Sequence, residues 1–244
     1  MDTKHQSHDA GHTLKRWAAV ARAARLEMHT LYVQEGLPVV MLRSSILTPA
    51  AVYFSAGVHG DEAGAVAGLL AWAEADPVLL RKTPVMIVPL FNPWGLLHNS
   101  RLDHTHTDLN RCFHDDGHPH IKAWRDAVLP NRFRMAICLH EDYDAQGVYC
   151  YELHRNAGSR LAQGLLDHVS PVIPRDPRRS IDGRPADRGV IQRRRIPVLP
   201  GEPEAITLYQ KCTDSSLTFE TPSEFSLSTR TQAHAAFISA ALAM

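Results

Sequence analysis

Apolar and polar positions alternate along the chain in two distinct rhythms. Short apolar runs, rich in β-branched residues, occur at PVVML (38–42), AVYFSAGV (51–58), VMIVPLF (85–91), MAICL (135–139) and GVYCYEL (147–153). Their length and composition predict strands. Between them, apolar residues recur at steps of three and four over 62–74, 119–129 and 157–169, and again over 229–242 after the strand-like SLTFE. This is the period of an amphipathic helix. A further helix is expected over 14–28, where Leu14, Trp17, Ala21, Ala24 and Met28 share one face behind a Thr13 cap. Strands alternating with helices predict an α/β fold with a mixed, mostly parallel central sheet covered by helices on both faces.

At 244 residues the chain is expected to form a single domain over 1–244, with one core of ordinary size. Its polar opening, residues 1–12, is expected to be mobile. From 170 to 203 proline, arginine and glycine replace the periodic pattern, which predicts an irregular excursion that shapes a pocket.

Twenty-six lysines and arginines balance twenty-six aspartates and glutamates. No global field therefore draws the chain to nucleic acid or an anionic membrane, and a small substrate is the expected partner. No run nears the roughly 18 apolar residues of a membrane helix, and the opening MDTKHQSHDAGH lacks the apolar core of a secretory signal. The expected location is the cytoplasm. Cys112, Cys138, Cys150 and Cys212 form no C-x-x-C pair and are expected to be free thiols. Nothing in the pattern fixes an oligomeric state.

Four segments carry candidate chemistry. In SAGVHGDEAG a strand ends at Gly57-Val58, His59 follows, and Glu62 stands three residues on as a helix begins. An imidazole and a carboxylate at that spacing can converge on one cation. With 15 histidines in the chain the spacing alone is weak, but the carboxyl end of a strand is where open α/β sheets place ligands. NPWGLLHNSRLDHTHTDLNRCF brings Arg101, Asp108, Asn110 and Arg111 into one loop, and two guanidiniums with an amide suit a carboxylate-bearing substrate. AICLHEDYDAQG ends another strand in His140, and SLTFETPS ends one in Glu220. Two histidines and a carboxylate make up the protein part of a catalytic zinc site. A glutamate at the same sheet edge is either an exposed terminator or a base facing the cleft.

Taken in this order, the four segments resemble the zinc carboxypeptidase superfamily, which includes the succinylglutamate desuccinylase and aspartoacylase branch. The resemblance spans His59 to Ser223. It implies one Zn2+ per chain held by His59, Glu62 and His140, with Glu220 as general base and acid. It further implies that Arg101 stabilises the oxyanion, Asp108 orients a ligand histidine, and Asn110 and Arg111 grip the substrate's carboxylate. Tyr209 is the nearest match to the mobile tyrosine of the peptidases. Asp103 and His106 stand where peptidase relatives often carry asparagine and glycine, and Cys112 where asparagine is frequent, departures that blur the substrate.

The expected activity is zinc-dependent hydrolysis of an amide bond next to a free carboxylate, as a metallocarboxypeptidase on small peptides. An N-acyl-amino-acid deacylase uses the same chemistry and is the alternative. A non-catalytic zinc-binding module is disfavoured, because every catalytic position is filled. Three signals stand apart: His5, His8 and His12 in the polar opening, six histidines between His98 and His120, and a basic run comprising Arg178, Arg179, Arg184, Arg188, Arg193, Arg194 and Arg195. The first could line one helical face and bind metal but sits in a terminus expected to fray, the second reads as solvated or locally bonded imidazoles, and the last as a solvated face or a contact for an acidic substrate.

Overall fold

A computed structural model describes residues 6–156, 158–193, 196 and 200–244. Eight strands form one sheet: β1 (Glu27–Gln34), β2 (Leu37–Arg43), β3 (Val52–Ala56), β4 (Val85–Val88), β5 (Met135–Asp142), β6 (Tyr149–His154), β9 (Val190–Arg193) and β10 (Ser215–Pro222), in the order β1-β2-β4-β3-β5-β10-β6-β9. The pairings β4–β3, β3–β5, β5–β10 and β6–β9 are parallel, whereas β1–β2, β2–β4 and β10–β6 are antiparallel. The sheet is mixed and mostly parallel, as the alternation predicts.

Helices cover both faces. Residues 52, 54, 85, 87, 135, 137, 217 and 219 point to one side, where they pack with α1 (Ala10–Ala24), α2 (Ala63–Ala75), α6 (Leu161–Val169) and α8 (Leu227–Ala243). Tyr53, Met86, Ala136 and Cys138 point to the other, against α5 (Pro119–Val128) and α7 (Glu204–Lys211). The period of two along each strand thus divides the interior into two cores. Phe54, Phe219, Trp17 and Leu69 are fully buried in the first core, Tyr53, Trp124 and Phe91 in the second. Each such side chain contributes on the order of 2 kcal/mol by leaving water.

Several boundaries differ from the pattern reading. The first helix runs from Ala10 to Ala24, not 14–28, because Asp9 accepts a hydrogen bond from the His12 amide and caps it earlier. Arg25, left-handed at φ 56°, ends it, and Met28 belongs to β1. The apolar pattern does not announce that strand: its EMHTLYVQ text is half polar because it lies at the sheet's edge. Glu35 and Gly36, both at positive φ, close the β1–β2 hairpin. The run 51–58 stops as a strand at Ala56, where Gly57 turns at φ 65°.

Residues 1–5 of the polar opening, with His5, lie outside the described residues. Gln6–His8 forms a 3-10 turn, and the His8 ring meets the Leu96 carbonyl at 3.0 Å. Within 170–203, Arg194, Arg195 and residues 197–199 also lie outside the described residues. The rest is more regular than the text suggests. It contains the two-residue strands β7 (Ser180–Ile181) and β8 (Arg184–Pro185), joined through Asp182 and Gly183 at positive φ, and the edge strand β9. All four cysteines are free. No helix among the described residues is long and apolar enough to cross a membrane.

Candidate active site

The carboxyl ends of β3, β5 and β10 converge on a cavity of about 420 Å³. Its lining includes His59, Glu62, Arg101, Asn110, Arg111, His140 and Glu220. Seven of the nine residues singled out from sequence therefore meet in one place. Asp108 hydrogen-bonds the side chains of His59 and Arg101, and Tyr209 stands apart.

His59 lies in the turn beyond β3. Gly60 presses against the start of the helix α4 (Pro93–His98), where an added Cβ would stand 1.9 Å from the Gly95 carbonyl carbon. Only glycine allows that approach. Glu62 is the residue before the first turn of α2, so its carboxylate also sits near the positive end of a buried helix. His140 comes from β5. Glu220 lies beside it, its Cα paired with that of His140 in the β10–β5 register.

His59 Nδ1 is 2.5 Å from Glu62 Oε1, and His140 Nδ1 is 3.0 Å from Glu62 Oε2. The three donor atoms fall within 4.8 Å of one another, and all three residues are buried. Burial alone would lower the His59 pKa, but the Glu62 charge and hydrogen bonds with Asp108 and Glu62 outweigh it and raise it to about 9. Burial would raise the Glu62 carboxyl, yet the two histidines hold it down at about 2. The trio is therefore a place where positive charge is favoured.

A divalent ion fits the same place. Two imidazole nitrogens and one carboxylate are the donor set of catalytic zinc. Glu62 Oε2 is buried without a full hydrogen bond. His59 Nε2 donates to Asp108 Oδ1 at 3.2 Å, which turns Nδ1 toward the trio, as a carboxylate behind a ligand histidine does. Arg101 in turn grips Asp108 Oδ2 through Nε (3.3 Å) and Nη2 (3.1 Å) and reaches His59 Nδ1 with Nη1 at 3.2 Å. These contacts hold the Asp108 carboxyl well below the usual carboxylate range, against the effect of its burial.

Asn110 is buried, and its Oδ1 accepts from the Glu204 backbone N–H at 3.0 Å. Its amide NH2 is the group left to bind a guest. Glu204 is itself a fully buried acid, taking hydrogen bonds from Tyr53 and Ser55 at 2.6 Å each and so anchoring α7 to β3. Arg111 extends beside it, its Nη1 on the Asn110 carbonyl at 2.9 Å. Burial pushes the Glu220 carboxyl up, reinforced by Glu62 and partly offset by His140.

Tyr209 is on α7, but its ring lies against the Arg155 guanidinium at 5.5 Å and does not line the cavity. Two other tyrosines do, Tyr149 and Tyr151, with Asp182, Arg184, Leu153 and Thr218. Tyr149 donates to Asp142 Oδ2 at 3.0 Å, and Tyr151 to Asp182. The signal for these two was present: residues 149 and 151 of GVYCYEL are two apart and share a sheet face. Asp182 and Arg184 arrive from the β7–β8 hairpin, which no local pattern announces.

Residues 49–140 match the family described as the succinylglutamate desuccinylase/aspartoacylase catalytic domain. No curated protein matches the sequence. Among solved structures, a candidate metallopeptidase from Shewanella amazonensis superposes with a TM-score of 0.85 at 21% identity, over 97% of this chain and 93% of that one. A metallo-carboxypeptidase from Burkholderia cenocepacia superposes at 0.71 and 18% identity, over 96% and 68%. A Pseudomonas aeruginosa metallo-carboxypeptidase, in complex with (2-guanidinoethylmercapto)succinic acid, gives 0.62 and 19%, over 93% and 67%.

Proposed function

We propose that the chain is a zinc carboxypeptidase-like enzyme that hydrolyses an amide bond beside a free carboxylate, as a metallocarboxypeptidase acting on small peptides; the match of residues 49–140 to the succinylglutamate desuccinylase/aspartoacylase catalytic domain and the shared fold support the reading. One observation carries the reading: a metal-ligating trio, a buried glutamate and a pair of carboxylate-binding residues line the same cavity.

His59, Glu62 and His140 would hold one zinc ion, which when bound supplies a Lewis acid for the scissile carbonyl and for the attacking water. Glu220 takes the water's proton as its oxygen attacks the carbonyl carbon, and passes that proton to the leaving nitrogen as the C–N bond breaks. Its raised pKa suits the second task. A positive charge entering the neighbouring trio favours the ionised form needed for the first. Arg101 donates N–H groups toward the developing oxyanion. Asn110 and Arg111 bind the substrate's carboxylate and set the distance from it to the scissile bond. The succinic-acid ligand of the Pseudomonas aeruginosa protein supports a carboxylate-bearing guest.

A second reading keeps the same residues but makes the substrate an N-acylated amino acid, and the family match over 49–140 favours it. The test is a hydrolysis panel of blocked dipeptides with free C-termini, their C-terminal amides, and N-acyl aspartate and glutamate. Turnover of the free peptides that vanishes with the amides supports the carboxypeptidase. Preference for acyl amino acids selects the deacylase. Equal cleavage of amides and acids removes the carboxylate clamp from both, and a zinc-loaded chain inert to the whole panel is a binding module.

A further inference from the structure

Outside the catalytic cavity, the loop between Arg101 and Asp108 carries a second concentration of donor atoms. Asp103 is fully buried. Its Oδ1 is saturated, accepting from Thr105 N (2.8 Å), Thr105 Oγ1 (2.7 Å) and Thr107 N (2.9 Å). Its Oδ2 is equally buried but accepts no hydrogen bond. Facing that oxygen are His118 Nε2 at 3.7 Å and His104 Nδ1 at 3.9 Å. His104 Nδ1, His118 Nδ1 and both ring nitrogens of His120 are likewise buried and unpartnered. His120 is stacked between Tyr32 and Phe91, which closes this region with an apolar wall.

A carboxylate oxygen removed from water without a donor is strongly unfavourable, and native proteins rarely leave one so. The separations of 3.7 and 3.9 Å exceed a hydrogen bond. They approach the spacing of two atoms bound to one cation, since metal–donor bonds of about 2.0–2.2 Å at a tetrahedral angle put ligands roughly 3.4 Å apart. We propose that Asp103 Oδ2, His104 and His118 form a second divalent-cation site, distinct from His59, Glu62 and His140. Among the described residues only that first trio already has its donors mutually within 4.8 Å. Binding at Asp103 therefore draws the two imidazoles inward by rotation about their side-chain bonds. Two imidazoles and one carboxylate suit zinc or cobalt over magnesium or calcium.

Such an ion has a structural task. Asp103 lies between Arg101 and Asp108 and ties their loop together, donating its N–H to the Thr107 carbonyl at 3.0 Å. His118 is the residue on which α5 begins. A cation shared by the two would fasten the loop that presents Arg101, Asn110 and Arg111 to a helix of the second core.

The test is zinc content. The chain is stripped with a chelator, dialysed against excess zinc, passed through a desalting column and analysed for metal per chain. Two equivalents are expected for the unaltered chain, one for His104→Ala, one for His118→Ala, and one for His140→Ala. A single equivalent in the unaltered chain overturns the proposal, as do two equivalents retained in both His104→Ala and His118→Ala. Should either of those variants fail to fold, cobalt titration of His140→Ala followed by visible absorption decides. One saturable equivalent supports the second site, and none removes it. Because the readout is bound metal, it stands whether or not the substrate panel finds turnover.

Discussion

Glu220 and His140 are Cα partners in the parallel pairing of β10 with β5, and both side chains leave the sheet on the face of α5 and α7. A buried carboxylate is thereby set on the strand next to a candidate ligand imidazole, the two backbones one strand spacing, roughly 4.8 Å, apart by register alone. No loop has to close to bring them together. The turn after β3, the loop carrying Arg101, Asn110 and Arg111, and the elements between β5 and β10 supply most of the remaining cavity wall.

Replacing Glu220 by glutamine separates the two tasks at this edge. The amide keeps the shape but cannot take a proton. In Glu220→Gln, hydrolysis is expected to fall by roughly 10²–10⁴-fold while bound metal is unchanged. His140→Ala is expected to lose both, since it removes a ligand. Metal analysis alongside steady-state kinetics checks the division, and loss of metal from Glu220→Gln would overturn it.

Metal affinity should depend steeply on pH. A ligand imidazole must be neutral, yet Glu62 and Asp108 raise the His59 pKa to about 9, and His140 is also shifted upward. Glu62, held at about 2, stays ionised across the working range. Protons therefore compete with the ion at His59 at all pH values below about 9, and affinity is expected to weaken about tenfold or more for each unit of acidification. Calorimetry in buffers of differing ionisation enthalpy should show proton release on binding at pH 7. Binding without proton release would contradict the charge assignment.

Arg111→Ala tests the grip on the carboxylate. The loss of a charge-assisted bond is expected to lower kcat/KM by roughly 10–100-fold. The defect should fall mainly on KM, because the contact exists in the ground state as well as at the barrier. A substrate already lacking its carboxylate should lose nothing further. A kcat defect equal for both substrates would place Arg111 elsewhere in the reaction.

The parts legible in the sequence are those in which local pattern and chemistry coincide. His59, Glu62, His140 and Glu220 each end an apolar run or begin a helix, so the text shows both the residue and its place at the sheet edge. Asp182 and Arg184 reach the cavity only because β9 pairs with β6 and carries the β7–β8 hairpin with it. That is a long-range event with no local periodicity. Glu204 was hidden for the opposite reason. A charged residue after Gly201, Glu202 and Pro203 reads as surface, whereas Tyr53, Ser55 and the Asn110 side chain together make its burial possible. Tyr209 shows the limit of transferring a role by proximity in sequence, since α7 turns its ring to Arg155.

Gly60→Ala should damage both fold and site. The added methyl would stand 1.9 Å from the Gly95 carbonyl carbon and 2.3 Å from the Leu96 nitrogen. Both are backbone atoms that no side-chain rotation can move. Overpacking of this kind typically costs about 1–3 kcal/mol, and relief requires the His59 turn to move off α4. Thermal unfolding should report the lost stability, and reduced zinc affinity the displaced ligand. Unchanged stability would mean that α4 is free to shift.

Acid should unfold the chain partly through His234. This imidazole is fully buried on α8, its Nε2 3.1 Å from Thr221 Oγ1. Burial drives its pKa down from 6.5 to about 3, with Arg230 and His140 adding to the depression and Glu62 opposing it. The sign follows from linkage: above 6.5 neither state carries the proton, so the contribution is intact. As pH falls from 6.5 toward 3, the unfolded chain binds a proton that the folded chain refuses. Stability should then drop by about 1.4 kcal/mol per unit for this one group. His234→Gln keeps a polar partner for Thr221 but cannot titrate. Its denaturation midpoint is expected to vary less between about pH 6.5 and 4 than that of the unaltered chain, whatever its absolute stability, and parallel pH curves would exclude His234 as the source.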